Sequence, residues 1–348
     1  MEPTDATTSV VIVTHQSADL IGEVLTALGT AACAPDEIIV VDSASSDGTR
    51  TVLDGFDVRR VDLDENVGFA AGCRAGAALA TGSVLVFLGH DSIPEPHWLD
   101  PLVEAVLDEG IGAAMSTLVE VDDPSRFNTS GGHLSYVGLA WISGYRDPIP
   151  DDEPELTDVA FPSGSAMAIR REAWIRFDGF RDDLFMYLED VDLGWRLRLA
   201  GLRVVRSSRS RVRHRYDFAR TGAKMFWLER NRWLVLASNY RPATIAALAP
   251  ALVVTEAGVW FVAVRDRWFG AKVRAMRDAG RAMRRGASRR AAVDRLRVVG
   301  DGAMLATMES SISTVRQVRA PRGSGFVDAI LGTWLRIALP IIRITDRW

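Results

Sequence analysis

The sequence predicts an α/β fold, a Rossmann-like and mostly parallel sheet flanked by helices, followed by a helical C-terminal region. Three observations carry that expectation. Short β-branched runs alternate with helix-like segments between Val10 and Leu88, the order that builds βαβ units. Charge divides the chain: residues 1–202 hold 12 Lys and Arg against 35 Asp and Glu, a net of -23, whereas residues 203–348 hold 29 against 10, a net of +19. Beyond residue 223 the apolar spacing is helical almost throughout.

Taken in order, residues 10–13 (Val-Val-Ile-Val) read as a buried strand and 19–30 as a helix. Residues 38–41 are the next strand, and 46–54 a short helix opening on Ser-Ser-Asp-Gly-Thr. Strand 58–63, small-residue helix 68–80 and strand 84–88 follow, the last ending in Gly89-His90-Asp91. After a helix at 96–108 the pattern turns irregular over 122–162, which predicts loops and short hairpins suited to an acceptor-facing lid. Regular structure returns with strand 165–170, helix 172–177, helix 188–200 and strand 203–205. Helices are expected at 223–240, 244–264, 265–299 (one or a pair) and 326–344, placing a domain boundary near residue 222.

At 348 residues and 48% hydrophobic content the chain can bury a substantial core. Its two cysteines, Cys33 and Cys73, lack metal-ligand spacing, which argues against a disulfide framework or a zinc site and fits a reducing compartment. The polar, acidic start reads as no secretory signal, so the protein is expected inside the cell. The basic C-terminal half predicts an anionic partner, with a membrane surface preferred to nucleic acid. Residues 244–264 are long enough to span a bilayer, yet Pro250 and Glu256 favour a buried or interfacial helix. The 326–344 segment, with Trp334 and two arginines among Ile and Leu, suits the headgroup plane.

In a parallel sheet, ligands bind beyond the carboxyl ends of the strands, where Asp42, Ser43, His90 and Asp91 fall. Asp42 can accept hydrogen bonds from a base or ribose, while Ser46 and Asp47 read as caps of the following helix. Asn66-Val67-Gly68 opens a helix whose glycines permit either close ligand approach or tight helix–sheet packing, and Arg74 within it could face a diphosphate. Asp91 at a strand end fits a hard cation such as Mg²⁺ or Mn²⁺, which commonly bridges carboxylates to substrate phosphates. Glu189, Asp190 and Asp192 open a helix, where the dipole stabilises acids, but three within four positions exceed a cap and one is a candidate general base. His214 lies where a returning chain could supply a metal ligand. The remaining histidines outside the His90 triplet read as structural.

In this order, Val11-Ile12-Val13-Thr14, the segment Asp42 to Thr49, Asn66 to Ala70, and above all Phe161 to Trp174 followed by Asp178-Gly179-Phe180 and Phe185 to Leu193 resemble the family 2 inverting glycosyltransferases of GT-A fold, in particular the bacterial rhamnosyltransferase-like branch. The resemblance covers residues 9–240. It implies a catalytic domain over 1–222 and a membrane-associating or acceptor-binding region over 223–348. It implies that Thr14, Asp42 and Asn66, with Gly68, Arg74 and Gly164 beside them, hold a nucleotide-diphosphate sugar. Asp91, His214 and His90 would hold Mg²⁺ or Mn²⁺, and Asp190, with Glu189, would act as base toward a glycan or polyprenyl-linked acceptor at the inner face of the cell membrane. Two departures stand out: Gly89 replaces the family's usual Asn or Asp at the start of its metal triplet, and Arg74 stands where many members carry Asn. Gly89 keeps open a catalytically impaired scaffold, and Glu229-Arg230-Asn231-Arg232-Trp233 resembles the Gln-x-x-Arg-Trp motif of processive synthases.

Overall fold

The computed structural model describes residues 6–215, 221–283, 287–311 and 324–346. Met1 to Asp5, including most of the polar start, and Tyr216 beyond His214 lie outside the described residues.

The strands are β1 (Thr8–Thr14), β2 (Glu37–Ser43), β3 (Arg59–Leu63), β4 (Val84–Gly89), β5 (Ser92–Pro94), β6 (Ile111–Glu120), β7 (Phe127–Thr129), β8 (Gly131–Leu134), β9 (Ala140–Ser143), β10 (Leu156–Asp158), β11 (Ala166–Arg170) and β12 (Arg203–His214). Helices α1 (Ile21–Thr30), α2 (Thr49–Leu53), α3 (Gly68–Leu79), α4 (Leu99–Leu107), α5 (Arg171–Arg176) and α6 (Glu189–Leu199) are interleaved with them. The main sheet runs β10-β12-β6-β11-β4-β1-β2-β3, and β8 and β9 form a separate ribbon. Strands β3, β2, β1 and β4 are mutually parallel; β1, β2 and β4 carry the apolar runs of strands covered on both faces, whereas the edge strand β3 is Arg-Arg-Val-Asp-Leu and is partly exposed. The sheet is more mixed than a doubly wound one, because β11 runs antiparallel to both β4 and β6.

Register is what positions the site. Val13 of β1 pairs with Gly89 of β4, and Thr14 pairs with Asp42 of β2, so the two acidic strand ends flank β1. Strands lie about 4.8 Å apart, which places Asp42 and Gly89 about 10 Å from each other along the sheet edge. Two elements escape the sequence pattern. Strand β6 is buried over nearly its whole length and follows the Asp108-Glu109-Gly110 turn, but it opens on the small residues Gly112, Ala113 and Ala114 in place of a β-branched run. Strand β12 is far longer than the expected 203–205, because arginines interrupt its apolar pattern and a register shift falls between Ser207 and Arg211. The irregular 122–162 stretch contributes the short strands β7 to β10.

The chain divides into two compact units. The first comprises residues 1–132, 144–197 and 202–217; the second takes residues 133–143, 198–201 and 218–348. The second unit carries α7 (Gly222–Asn239), α8 (Pro242–Arg265), α9 (Phe269–Met283), α10 (Ala287–Leu296), α11 (Asp301–Leu305) and α12 (Ser324–Thr345). At its centre Lys272 of α9, fully buried, sits 2.5 Å from both Glu229 of α7 and Glu256 of α8. Arg232, also buried, reaches the same two carboxylates. Burial raises the Glu229 pKa, but the adjacent Arg232 and Lys272 outweigh it and hold the carboxyl below its ordinary value. Two anions and two cations thus neutralise one another where an isolated charge would be prohibitive. The Glu229-x-x-Arg232 pair is therefore part of the packing between α7, α8 and α9.

Candidate active site

The constellation at the ends of β4 and β12 can be built up atom by atom. His214 ends β12, is 6% exposed, and brings Nε2 to 3.6 Å from Asp91 Oδ1 and 3.1 Å from Ser165 Oγ. Its other ring nitrogen, Nδ1, lies 3.0 Å from Asn128 Oδ1. The Asn128 amide is itself fixed, since its Nδ2 donates to Glu120 Oε1 at 2.8 Å and a carboxylate only accepts. Asn128 Oδ1 must then accept from His214 Nδ1–H, which leaves the Nε2 lone pair directed at Ser165 and Asp91. Burial lowers the His214 pKa, Asp91 opposes that shift and His90 reinforces it, so the ring is neutral near pH 7. An oxygen and a nitrogen from two chain segments, less than 4 Å apart with the nitrogen's tautomer fixed, suit a single divalent cation. No group of three or more His, Cys, Asp or Glu residues suited to a metal occurs among the described residues; a cation here would fill its other positions with donor phosphate oxygens and water.

Gly89 acquires a physical reason. A Cβ at this position would lie 2.7 Å from both Asp91 Oδ1 and Ser92 Oγ, so a side chain at 89 would displace the carboxylate from the orientation it has here. His90 is half-buried beside this group.

One residue from Ser165, the Gly164 amide donates to Asp190 Oδ2 at 3.3 Å, and the Val191 amide donates to Asp190 Oδ1 at 2.7 Å. Gly89 N also donates to Ser165 O, so the 163–166 turn joins the base candidate to the Asp91–His214 pair. Burial raises the Asp190 pKa to about 6 against the pull of these amides. Glu189 is buried, its Oε2 has no hydrogen-bond partner, and burial together with the charges of Asp190 and Asp192 pushes its carboxyl well above the ordinary range. Burial thus raises both neighbouring carboxyls, while only Asp190 has backbone amides that favour its ionised form on both oxygens. Asp192 serves the packing instead, being fully buried, bonded to Arg196 at 2.8 Å and 3.6 Å from Arg181.

The helix that carries Asp190 is preceded by an unusual turn. Phe185, Tyr187 and Leu188 have φ of 61°, 66° and 68°, a left-handed conformation costly for bulky residues. Gly68, itself at φ +79°, lies against the Phe185 carbonyl and ring, where a Cβ would collide with both, and Ala70 N donates to Phe185 O. Arg74 lies on the same helix and grips the turn ahead, with Nη1 at 2.7 Å from Asp178 O, 3.0 Å from Asp178 Oδ1 and 3.2 Å from Phe180 O. In this structure Gly68 and Arg74 thus hold the chain leading to Asp190.

A second group gathers at the ends of β1 and β2. Asp42 is fully buried, receives Arg50 Nε at 2.7 Å and faces the Ser45 amide. Ser43 Oγ donates to Asn66 Oδ1 and accepts from Val67 N, while Asn66 Oδ1 also accepts from Gly68 N. Thr14 Oγ1 is buried without a hydrogen-bond partner, and His15 Nδ1 lies 2.7 Å from Ser43 O. The sequence-derived residues therefore form two clusters on either side of β1. Arg50, His15, Ser165, Asn128 and Glu120 belong to them as well. Ser165 stood inside the most family-like segment, whereas Asn128 lies within the stretch read as irregular and Glu120 just ahead of it, and no sequence signal marked them.

A mixed sheet of this order, flanked by helices, has the GT-A fold. The chain is a glycosyltransferase that uses a nucleotide sugar, with a glycosyl transferase family 2 domain matched over residues 9–177. It is 27% identical over 219 residues to the N-acetylglucosaminyl-diphospho-decaprenol L-rhamnosyltransferase of Mycobacterium tuberculosis, covering 55% of this chain and 70% of that protein. It is 31% identical over 173 residues to the O-antigen biosynthesis protein RfbC of Myxococcus xanthus, covering 48% of this chain but 13% of that protein. Among solved structures, GalNAc-T7 with UDP, GalNAc and Mn²⁺ shares the fold at a TM-score of 0.57 and 18% identity, over 71% of this chain and 51% of that one. The mannosyltransferase PcManGT of Pyrobaculum calidifontis, in complex with GDP-Man and Mn²⁺, does so at 0.51 and 19%, over 99% and 89%.

Proposed function

We propose that the protein transfers a sugar, a rhamnosyl unit in the first instance, from a nucleotide-diphosphate donor to a hydroxyl of a polyprenyl-linked cell-envelope glycan, with inversion at the anomeric carbon. The observation that carries this reading is Asp190, a carboxyl with a pKa of about 6 held by Gly164 next to the Ser165–His214–Asp91 group. Ionised at neutral pH, Asp190 takes the proton of the acceptor hydroxyl as its oxygen bonds to the anomeric carbon. The bond from that carbon to the diphosphate breaks on the opposite face, and the electron pair departs with the nucleoside diphosphate. Asp91 and His214 would hold Mg²⁺ or Mn²⁺, which when bound neutralises charge on the leaving diphosphate. Burial and the charges of Asp190 and Asp192 push the Glu189 carboxyl up, which disfavours a second negative charge beside Asp190. Thr14, Asp42 and Asn66 would receive the nucleoside, with Arg50 already on Asp42.

The rhamnosyl and lipid-linked elements of this reading are drawn from the mycobacterial relative, and an enzyme with such an acceptor would work at the cytoplasmic face of the membrane. The test is transfer from a nucleotide L-rhamnose, against a panel of nucleotide hexoses, to a polyprenyl-diphosphate N-acetylglucosamine acceptor with Mn²⁺. The product's anomeric configuration is read by NMR; retention of configuration, or full turnover by Asp190→Asn, would falsify the mechanism.

A further inference from the structure

Helix α8 has its polarity reversed. Its polar side chains point inward: Thr244 and Thr255 are buried, and Glu256 turns to Lys272 and Arg232. Every exposed residue between Pro242 and Val264 is apolar. They recur at helical spacing, as in Ala246, Val253, Ala257, Phe261 and Val264, with Val253 68% exposed and Phe261 62%. Helix α12 packs against α8, Trp334 Nε1 donating to Ala247 O at 3.0 Å. Between the two helices lies a groove of about 370 Å³ lined by Pro250, Val254, Ile330 and Trp334 among others. The outer side of α12 exposes Ile337, Ile341 and Ile344 together with Arg336 and Arg343.

At 24 residues and 1.5 Å per residue, α8 is about 36 Å long, enough to cross a bilayer. Yet its inner side is tied by charge to α7 and α9, so only one side is free to meet lipid. A protein partner's interface would be ringed with polar groups and hydrogen-bonded at intervals; this face offers no side-chain donor or acceptor along its exposed length. Lipid tails require none. The arginines interleaved with the isoleucines of α12, and the exposed Arg274, Arg277 and Arg281 along α9, complement anionic headgroups.

We propose that the outward sides of α8 and α12 seat this protein in one leaflet of an anionic bilayer, α8 lying in the plane and a lipid tail occupying the α8–α12 groove. This deepens the reading of a membrane-borne acceptor, but its primary readout, vesicle binding, needs neither donor nor turnover. The full chain is floated with phosphatidylcholine vesicles, with and without phosphatidylglycerol, at low and high salt. The intact protein binds both, more tightly with phosphatidylglycerol, and retains the apolar component in high salt. Val253→Glu with Phe261→Glu, both on exposed positions, lowers vesicle partition on the order of tenfold or more while nucleotide-sugar hydrolysis in detergent is unchanged. Arg336→Glu with Arg343→Glu removes only the salt-sensitive part. Failure of the intact protein to float, wild-type flotation of the Val253/Phe261 variant, or a vesicle-independent dimer that this variant abolishes, would each overturn the proposal. Flotation as described combined with no lipid-linked transfer would instead sink the acceptor assignment alone.

Discussion

Replacing Asn128 with Leu tests whether Asn128 sets the His214 tautomer at the proposed metal-ligand pair. Leu has nearly the same shape but cannot accept the His214 Nδ1–H bond, now 3.0 Å long. A buried N–H left without a partner costs about 1–3 kcal/mol. The ring can avoid that cost by moving its proton to Nε2, where Ser165 Oγ at 3.1 Å and Asp91 at 3.6 Å can receive it. That move eliminates the lone pair a cation needs. Loss of such a supporting partner typically weakens metal binding by about 10–100-fold, or roughly 1.4–2.7 kcal/mol. Mn²⁺ titration followed by electron paramagnetic resonance measures the affinity, and ring ¹⁵N chemical shifts of His214 report the tautomer independently of turnover. Glu120→Gln serves as the conservative control, because a glutamine oxygen can still accept from Asn128 Nδ2; its affinity should stay close to that of the wild type. If Asn128→Leu binds Mn²⁺ with unchanged affinity and the same ring shifts, the amide does not set the tautomer.

Three further outcomes are expected. With the Asp190 pKa at about 6, the base is lost by protonation below that pH, so kcat/KM rises through a limb centred near pH 6; Asp190→Asn removes the limb and lowers kcat by about 10²–10⁴-fold, and an unchanged profile would reject the assignment. Asp192→Asn strips buried Arg196 and Arg181 of their shared carboxylate and should cost about 3–5 kcal/mol in urea unfolding; stability within experimental scatter of wild type would show that the pair is not structural. Gly68→Ala meets both a positive φ and the Phe185 carbonyl, and should destabilise the fold by about 1–3 kcal/mol and lower kcat while leaving Mn²⁺ affinity intact; a drop in Mn²⁺ affinity as large as that in kcat would place Gly68 at the metal pair instead.

The parallel half of the sheet was legible because β1, β2 and β4 are buried on both faces, and such strands read as uninterrupted apolar runs. Their ends fall one or two residues beyond the expected limits, at Thr14, Ser43 and Gly89, so Asp42 lies within β2 and Asp91 just past β4. Strand β12 was legible only at its start, since an arginine can lie on a buried strand when it has a partner, as Arg206 has in Glu153, and hydropathy does not register partners. The acids of α6 were legible as a group but not in their separate roles: the sequence Glu-Asp-Val-Asp contains nothing to indicate that Asp192 meets two arginines while Glu189 meets none. The helix spacing of residues 244–264 was equally clear, whereas the side it turns outward depended on Lys272, a residue distant in sequence. Asn128 shows the limit most plainly, since its importance lies in a hydrogen bond to a residue 86 positions away.

The left-handed run at Phe185, Tyr187 and Leu188 bears on any effort to redirect acceptor choice. Aromatic residues beside a sugar-transferring carboxylate invite replacement as stacking platforms. Here the positive φ of all three leads directly into α6, a conformation that β-branched residues resist, so such exchanges are expected to disturb the start of α6 along with any change in specificity.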